Sequence, residues 1–189
     1  MLKQMRNASP GLKARIAGAF YLASFVFGIL GEKFVHGRLS FPFGIVAVLC
    51  NAVMTLVICD ILKTLNRNLT LLAALFNGIG LTLEALRWNP LGVDVAMVFH
   101  GLYCLAIGTI VFKSRFLPRV LGVLMALAGL VWVIYISPSL ARHLFPYNIA
   151  AGLFGESSLM LWILVMGVNV ERWNERARRN KQDRAPSTS

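Results

Sequence analysis

Asn51, Asp60, Asn77, Glu84, His100 and Glu156 stand inside long apolar runs of this 189-residue sequence. A histidine and a carboxylate brought to the same place share a proton or hold a cation. Beyond such a meeting, known chemistry is scarce. No His-x-x-x-His or Glu-x-x-His occurs, so a helix-borne zinc or di-iron site is not expected and no metal ligand is assigned. No glycine loop is built to cradle phosphate and no Gly-x-Ser-x-Gly elbow is present. Ser157 and Ser158 follow Glu156 with no histidine at hydrogen-bonding spacing. No catalytic residue and no cofactor is therefore assigned. His36 and His143 fall in polar connections, where a histidine is solvated. Cys50, Cys59 and Cys104 all lie in apolar runs, are odd in number and lack metal-ligand spacing. They read as small apolar packing residues.

The elements that must position these residues follow from composition. Hydrophobic residues make up 57% of the chain and charged residues 14%. A soluble domain carries roughly 25% charged residues. Six apolar segments, at about 12–30, 43–62, 69–88, 93–112, 118–136 and 147–168, are each near the roughly 20 helical residues that cross a bilayer core. Within hydrocarbon a chain satisfies its own amides by coiling into helices. The fold class is therefore all-α, a polytopic membrane protein with a bundle of about six transmembrane helices. Pro42 and Pro118 lie near helix starts, where a missing N–H costs little, and Asn89-Pro90 stops the third helix. The first segment is too long for a signal peptide, and Gly31-Glu32-Lys33 is a poor cleavage context, so it is expected to be retained. Residues 1–170 form the transmembrane domain. Residues 171–189 form a basic tail that continues the last helix into water to about 184 and is disordered beyond it.

The net charge of +11 is segregated. With the N-terminus inside, 15 of the 19 Lys and Arg residues fall on the inner side, leaving Lys33, Arg38, Arg87 and Arg142 outside. This positive-inside bias puts both termini in the cytoplasm. Charge so divided anchors a membrane protein and does not form a nucleic-acid groove, so no nucleic acid is expected as a partner. Arg115 and Arg119 flank the inner ends of the fourth and fifth helices and are placed to meet lipid phosphates or a partner. The expected partners are membrane lipids, anionic headgroups at the cytoplasmic face among them. A homo-oligomer or a protein partner stays open.

Orientation converts position into depth. His100 lies roughly 12 Å and Glu156 roughly 15 Å from the outer surface, and Asn51 and Asn77 fall at similar depth. The four share one layer slightly outside the midplane. They line a buried polar site, or they hydrogen-bond between helices and fix packing. A carboxyl at that depth needs a proton or a partner. Asp60 sits near the inner headgroups, within reach of Lys63 or Arg67. Glu84 sits near the outer end, one helical turn from Arg87, and Asp94 opens the fourth helix. Small residues four apart, Ala19 with Ala23, Gly122 with Ala126 and Ala151 with Gly155, suit close helix packing.

Three stretches carry a resemblance. They are Ala14-Arg15-Ile16-Ala17-Gly18-Ala19-Phe20-Tyr21-Leu22; Phe112-Lys113-Ser114-Arg115-Phe116-Leu117-Pro118-Arg119-Val120-Leu121-Gly122 with Ala-Leu-Ala-Gly at 126–129; and Phe154-Gly155-Glu156-Ser157-Ser158-Leu159-Met160-Leu161-Trp162 with Gly167-Val168-Asn169. Over residues 13–169 the chain resembles a bacterial family of small multi-pass membrane proteins known as a domain of unknown function, number 4386 in its series. The resemblance implies residence in the bacterial inner membrane and brings no activity. Arg115, Pro118, Gly122 and Glu156 match the family pattern, which typically has a longer stretch after the first helix than the dozen or so residues here. Three functions follow as expectations. The first is binding or transport of a proton or small solute at the Glu156 and His100 layer. The second is a non-catalytic accessory subunit whose helices and basic tail dock a membrane complex. The third, least favoured, is an enzyme acting on a lipid or quinone.

Overall fold

A computed structural model describes residues 9–31, 40–88, 90 and 93–182. The described residues form eight α-helices and no strand: α1 Pro10–Ile29, α2 Ser40–Leu62, α3 Arg67–Ala85, α4 Val95–Lys113, α5 Arg119–Val133, α6 Pro138–His143, α7 Tyr147–Val165 and α8 Val170–Gln182. Six of them, α1 to α5 and α7, are long and apolar enough to cross a membrane, counting the 3-10 turn Ile134–Ile136 that extends α5. The chain is an all-α polytopic bundle. Large apolar side chains face outward along the spans, Leu49, Leu56, Leu75, Phe154 and Val165 among them. Such a surface is a liability in water and ordinary against lipid.

Local sequence sets the helix ends. Ser9 caps α1 through Oγ, which accepts from Leu12 N, and Pro10 follows at the first helical position. Asn66 Oδ1 caps α3 through Leu69 N at 3.0 Å, and Asp94 Oδ1 caps α4 through Met97 N at 3.1 Å. Past the end of α3, Arg87 adopts φ 52°. Its N–H bonds Glu84 O and the Trp88 N–H bonds Leu83 O, the pairing of a Schellman cap. The last membrane helix does not run on into the tail as expected. Gly167, at φ +71°, ends it, and α8 starts afresh with Asn169 Oδ1 accepting from Arg172 N at 3.0 Å. Glycine tolerates this left-handed backbone, so the break belongs to Gly167. The connection at 32–39, with Lys33, His36 and Arg38, lies outside the described residues, as do Asn89 and 183–189, on which the expected disordered end falls.

The six spans close a ring in chain order. Each packs on the next, and α7 packs on α1. Bare glycines let backbones touch. A Cβ on Gly18 of α1 would lie 2.7 Å from Leu164 N of α7. Between α4 and α5, Gly101 faces Gly129 and Gly108 faces Gly122, with any added Cβ within 2.8 Å of backbone oxygen across the interface. The two pairs are seven residues apart, two helical turns, on both helices. The ring interior holds Tyr21, Met54, Ile61, Tyr103, Ile107, Ile110, Met125 and Ile163, with Asn77 and Glu156 buried among them.

Candidate functional site

All six membrane-spanning helices send a polar side chain into one hydrogen-bonded cluster: Tyr21 from α1, Asn51 and Thr55 from α2, Asn77 from α3, His100 and Cys104 from α4, Trp132 from α5, and Glu156 from α7. Among the described residues, no buried side-chain nitrogen or oxygen lacks a partner.

The cluster starts at an amide whose orientation is set by its neighbours. Asn77 Nδ2 donates to Asn51 Oδ1 at 2.8 Å and to Thr55 Oγ1 at 2.6 Å. The Thr55 hydroxyl donates to the same Asn51 oxygen at 3.4 Å. Asn77 Oδ1 is thereby turned toward His100 Nδ1, 3.2 Å away. An amide oxygen only accepts, so Nδ1 carries a hydrogen. The other ring nitrogen, Nε2, stands 3.1 Å from Glu156 Oε1. A bare Nε2 lone pair against a bare carboxylate oxygen would repel. One proton must therefore reside between them, on the imidazole or on the carboxyl.

Glu156 is held on all sides by donors. The Trp132 indole N–H donates to Oε1 and the Tyr21 hydroxyl donates to Oε2. The Cys104 thiol approaches Oε1 at 3.9 Å. Rings pack around the pair: Tyr103 lies 5.7 Å and Trp132 lies 6.4 Å from the His100 ring centroid. Trp132 has room for its position because Gly152 of α7 has no side chain. A Cβ there would run into the indole.

The cluster is buried but not sealed. The Glu156 side chain is 2% exposed and that of His100 is 17% exposed, so the pair opens on the imidazole side. A cavity of about 460 Å³ touches Asn51, Asn77, His100, Trp132 and Glu156 at its floor and Glu84, Arg87 and Asp94 at its mouth. The mouth lies at the end of the bundle opposite the N-terminus of α1. His100 stands about one and two-thirds turns below Asp94, about 9 Å along α4. Arg87 lays its guanidinium over the Phe41 ring, 5.5 Å from its centroid, and Glu84 is exposed at the rim.

The remaining candidates sit elsewhere. Asp60 stays apart from the cluster, near the end of α2. It pairs with Lys63, one turn on, and with Lys13 of α1 at 2.7 Å. Lys13 was not foreseen, because only the packing of α1 on α2 brings it near. Arg115 and Arg119 line a second cavity of about 880 Å³, at the end of the bundle that carries α8. Lys113, Arg172, Arg176 and Arg179 join them there, with Glu175 the acidic neighbour. Arg172 Nη1 donates to Arg115 O at 3.1 Å and Trp173 Nε1 to Ile61 O at 3.1 Å, docking α8 against the bundle.

Sequence reasoning passed over Tyr21, Thr55, Trp132 and Cys104. Cys104 follows His100 by four residues, which puts both on one face of α4. That spacing was a usable signal, and Cys104 is more than apolar filling. Tyr21 and Trp132 lie within their spans, whereas such rings are enriched at membrane interfaces. That displacement was the other signal.

No curated protein and no solved structure matches the chain. A family model does match, the Domain of unknown function (DUF4386), over residues 43–167, roughly two-thirds of the sequence. The stretch takes in Asn51, Asn77, His100, Cys104, Trp132 and Glu156 and starts after α1 with Tyr21. The chain is accordingly a multi-pass membrane protein that belongs to the DUF4386 family.

Proposed function

We propose that the protein binds a small cationic species, at its simplest a proton, at the Glu156 and His100 pair, and that the species arrives through the cavity from the outer face of a bacterial inner membrane. One observation carries this reading. His100 Nε2 and Glu156 Oε1 need a shared proton or another cation between them, and both border the cavity. The groups that face the pair are Tyr21, Asn77, Tyr103, Cys104 and Trp132, with Glu84, Arg87 and Asp94 at the mouth. Below the pair, Met54, Ile58, Ile61 and Ile107 fill the interior with apolar atoms, which supports an approach from the cavity side. The outer placement of the mouth follows from charge. Lys63, Arg67, Lys113, Arg115, Arg119 and the cations of α8 all lie at the opposite end, and the positive-inside bias supports a cytoplasmic placement for it.

The basic cavity at that cytoplasmic end supports contact with phosphate-bearing lipid headgroups through Arg115 and Arg119. It lies at the level where α4 ends and α5 begins, a placement that supports headgroup contact.

Infrared difference spectroscopy on right-side-out membrane vesicles tests the binding reading. A step in external pH should give paired imidazole and carboxyl bands, a step in internal pH alone should give none, and Glu156→Gln should remove them while helicity is retained. Bands that persist in Glu156→Gln, or that answer only to internal pH, would overturn it.

A further inference from the structure

We infer that the same pocket is a site for a divalent transition-metal ion, ligated by His100 Nε2, Cys104 Sγ and Glu156 Oε1. This rests on the reading of the pair as a cation site and names the class of cation. The three ligand atoms lie within 4.8 Å of one another. Two of the separations are 3.1 Å, nitrogen to oxygen, and 3.9 Å, sulfur to oxygen. Around one tetrahedral zinc ion, bonds of about 2.0–2.3 Å set ligand atoms roughly 3.3–3.8 Å apart. The donors therefore need shifts of only a few tenths of an ångström to about one ångström to close on a metal.

Chemistry favours a borderline or soft ion over a hard one. Imidazole and thiolate select zinc and its neighbours, whereas magnesium and calcium want oxygen. The outer shell is already in place. A ligating histidine donates its far N–H to an oxygen acceptor, and His100 does so to Asn77 Oδ1, itself held by two further bonds. Trp132 occupies one lone pair of Glu156 Oε1 and leaves another for a metal, while Tyr21 holds Oε2. The cavity meets the pair on the His100 side and offers a fourth position to water or a solute.

Charge also balances. Before binding, the pair shares one proton and Cys104 is a thiol. The ion displaces both protons, one from the His100 and Glu156 pair and one from Cys104 Sγ, and two positive charges replace two. No bond changes oxidation state. The net charge of a site deep in the bilayer is the same before and after, so exchange avoids the cost of adding charge there.

Co²⁺ and Zn²⁺ titrations of the full chain in lipid nanodiscs test this. One Co²⁺ per chain should produce a thiolate-to-cobalt charge-transfer band, released on adding Zn²⁺, with about two protons freed per ion at neutral pH. Cys104→Ser should abolish the band, because the thiolate ligand is lost. Asn77→Leu should weaken Co²⁺ binding by about 10–100-fold, the range seen when an outer-shell partner is removed. No binding of either metal up to millimolar concentration, or a band unchanged in Cys104→Ser, would overturn the metal site. Infrared bands missing from the wild type would instead defeat the proton reading, so the two failures are distinguishable.

Discussion

Glu156 shows how a carboxyl survives in the middle of a membrane bundle. It is wrapped by one N–H, one hydroxyl, one thiol and one imidazole, and it carries a shared proton. Residue types leave open the choice between polar site and packing device, and either one needs a shared proton, because His100 Nε2 and a bare Glu156 Oε1 are both acceptors. Trp132 holds its place only while Gly152 lacks a Cβ. Gly152→Ala should therefore push the indole off Glu156 and destabilise the folded protein by about 2–3 kcal/mol, from overpacking plus a lost bond to a buried carboxyl. In a Trp132→Phe background the same change should cost at least about 1 kcal/mol less, because the smaller ring yields and no N–H remains to lose. Reversible unfolding in mixed micelles measures both, and equal costs in the two backgrounds would refute the coupling. His100 and Glu156 were legible as residues out of place in lipid. Trp132 and Gly152 were not, because a tryptophan and a glycine in an apolar run are each unremarkable until α5 and α7 are packed together.

At the scale of helices, the spans were readable from length and apolarity, and their bounds differ from expectation by a few residues. What was not readable is which glycines touch. The expected pairing of small residues four apart picked out Gly122 with Ala126, and both do meet Gly108 of α4. The longer pattern is Gly101 with Gly108 against Gly122 with Gly129, a seven-residue repeat on two antiparallel helices whose partners only folding reveals. Lipid tails give helices no hydrophobic reason to associate, so close backbone packing must hold α4 and α5 together. A Cβ on Gly122 would meet the Phe112 backbone and, at 2.8 Å, Gly108 O, and backbone cannot swing aside. Gly122→Ala should thus cost about 1–3 kcal/mol. Gly78, exposed on α3 with nothing within 4 Å of an added Cβ, is the control. Gly78→Ala should be neutral or stabilise by up to about 1 kcal/mol through helix propensity. Equal effects at the two positions would show that propensity, not contact, governs them. The continuous tail helix was a misreading of the same kind. Residue type alone does not set Gly167 apart, and only its positive φ marks it as the stop between α7 and α8.

For the whole molecule, the direction in which the cavity opens decides what it can sample, and direction comes from charge alone. The bundle has one end rich in Lys and Arg, where α8 docks, and one end where the cavity mouth carries Glu84, Arg87 and Asp94. Ring closure in chain order places each span beside its sequence neighbour, so no span can flip without carrying the polar cluster with it. Orientation is therefore a single choice for all six. A cysteine introduced at exposed Ser139, in α6 at the mouth end, should react with an impermeant maleimide added to intact cells. One introduced at exposed Asn68, in the first turn of α3 at the other end, should react only after permeabilisation. The native thiols lie within spans and should contribute little background. The reverse labelling pattern would turn the cavity toward the cytoplasm. The site would then take its cation from a pool held near neutral pH, and the external pH step that should drive the Glu156 and His100 bands would have no route to them.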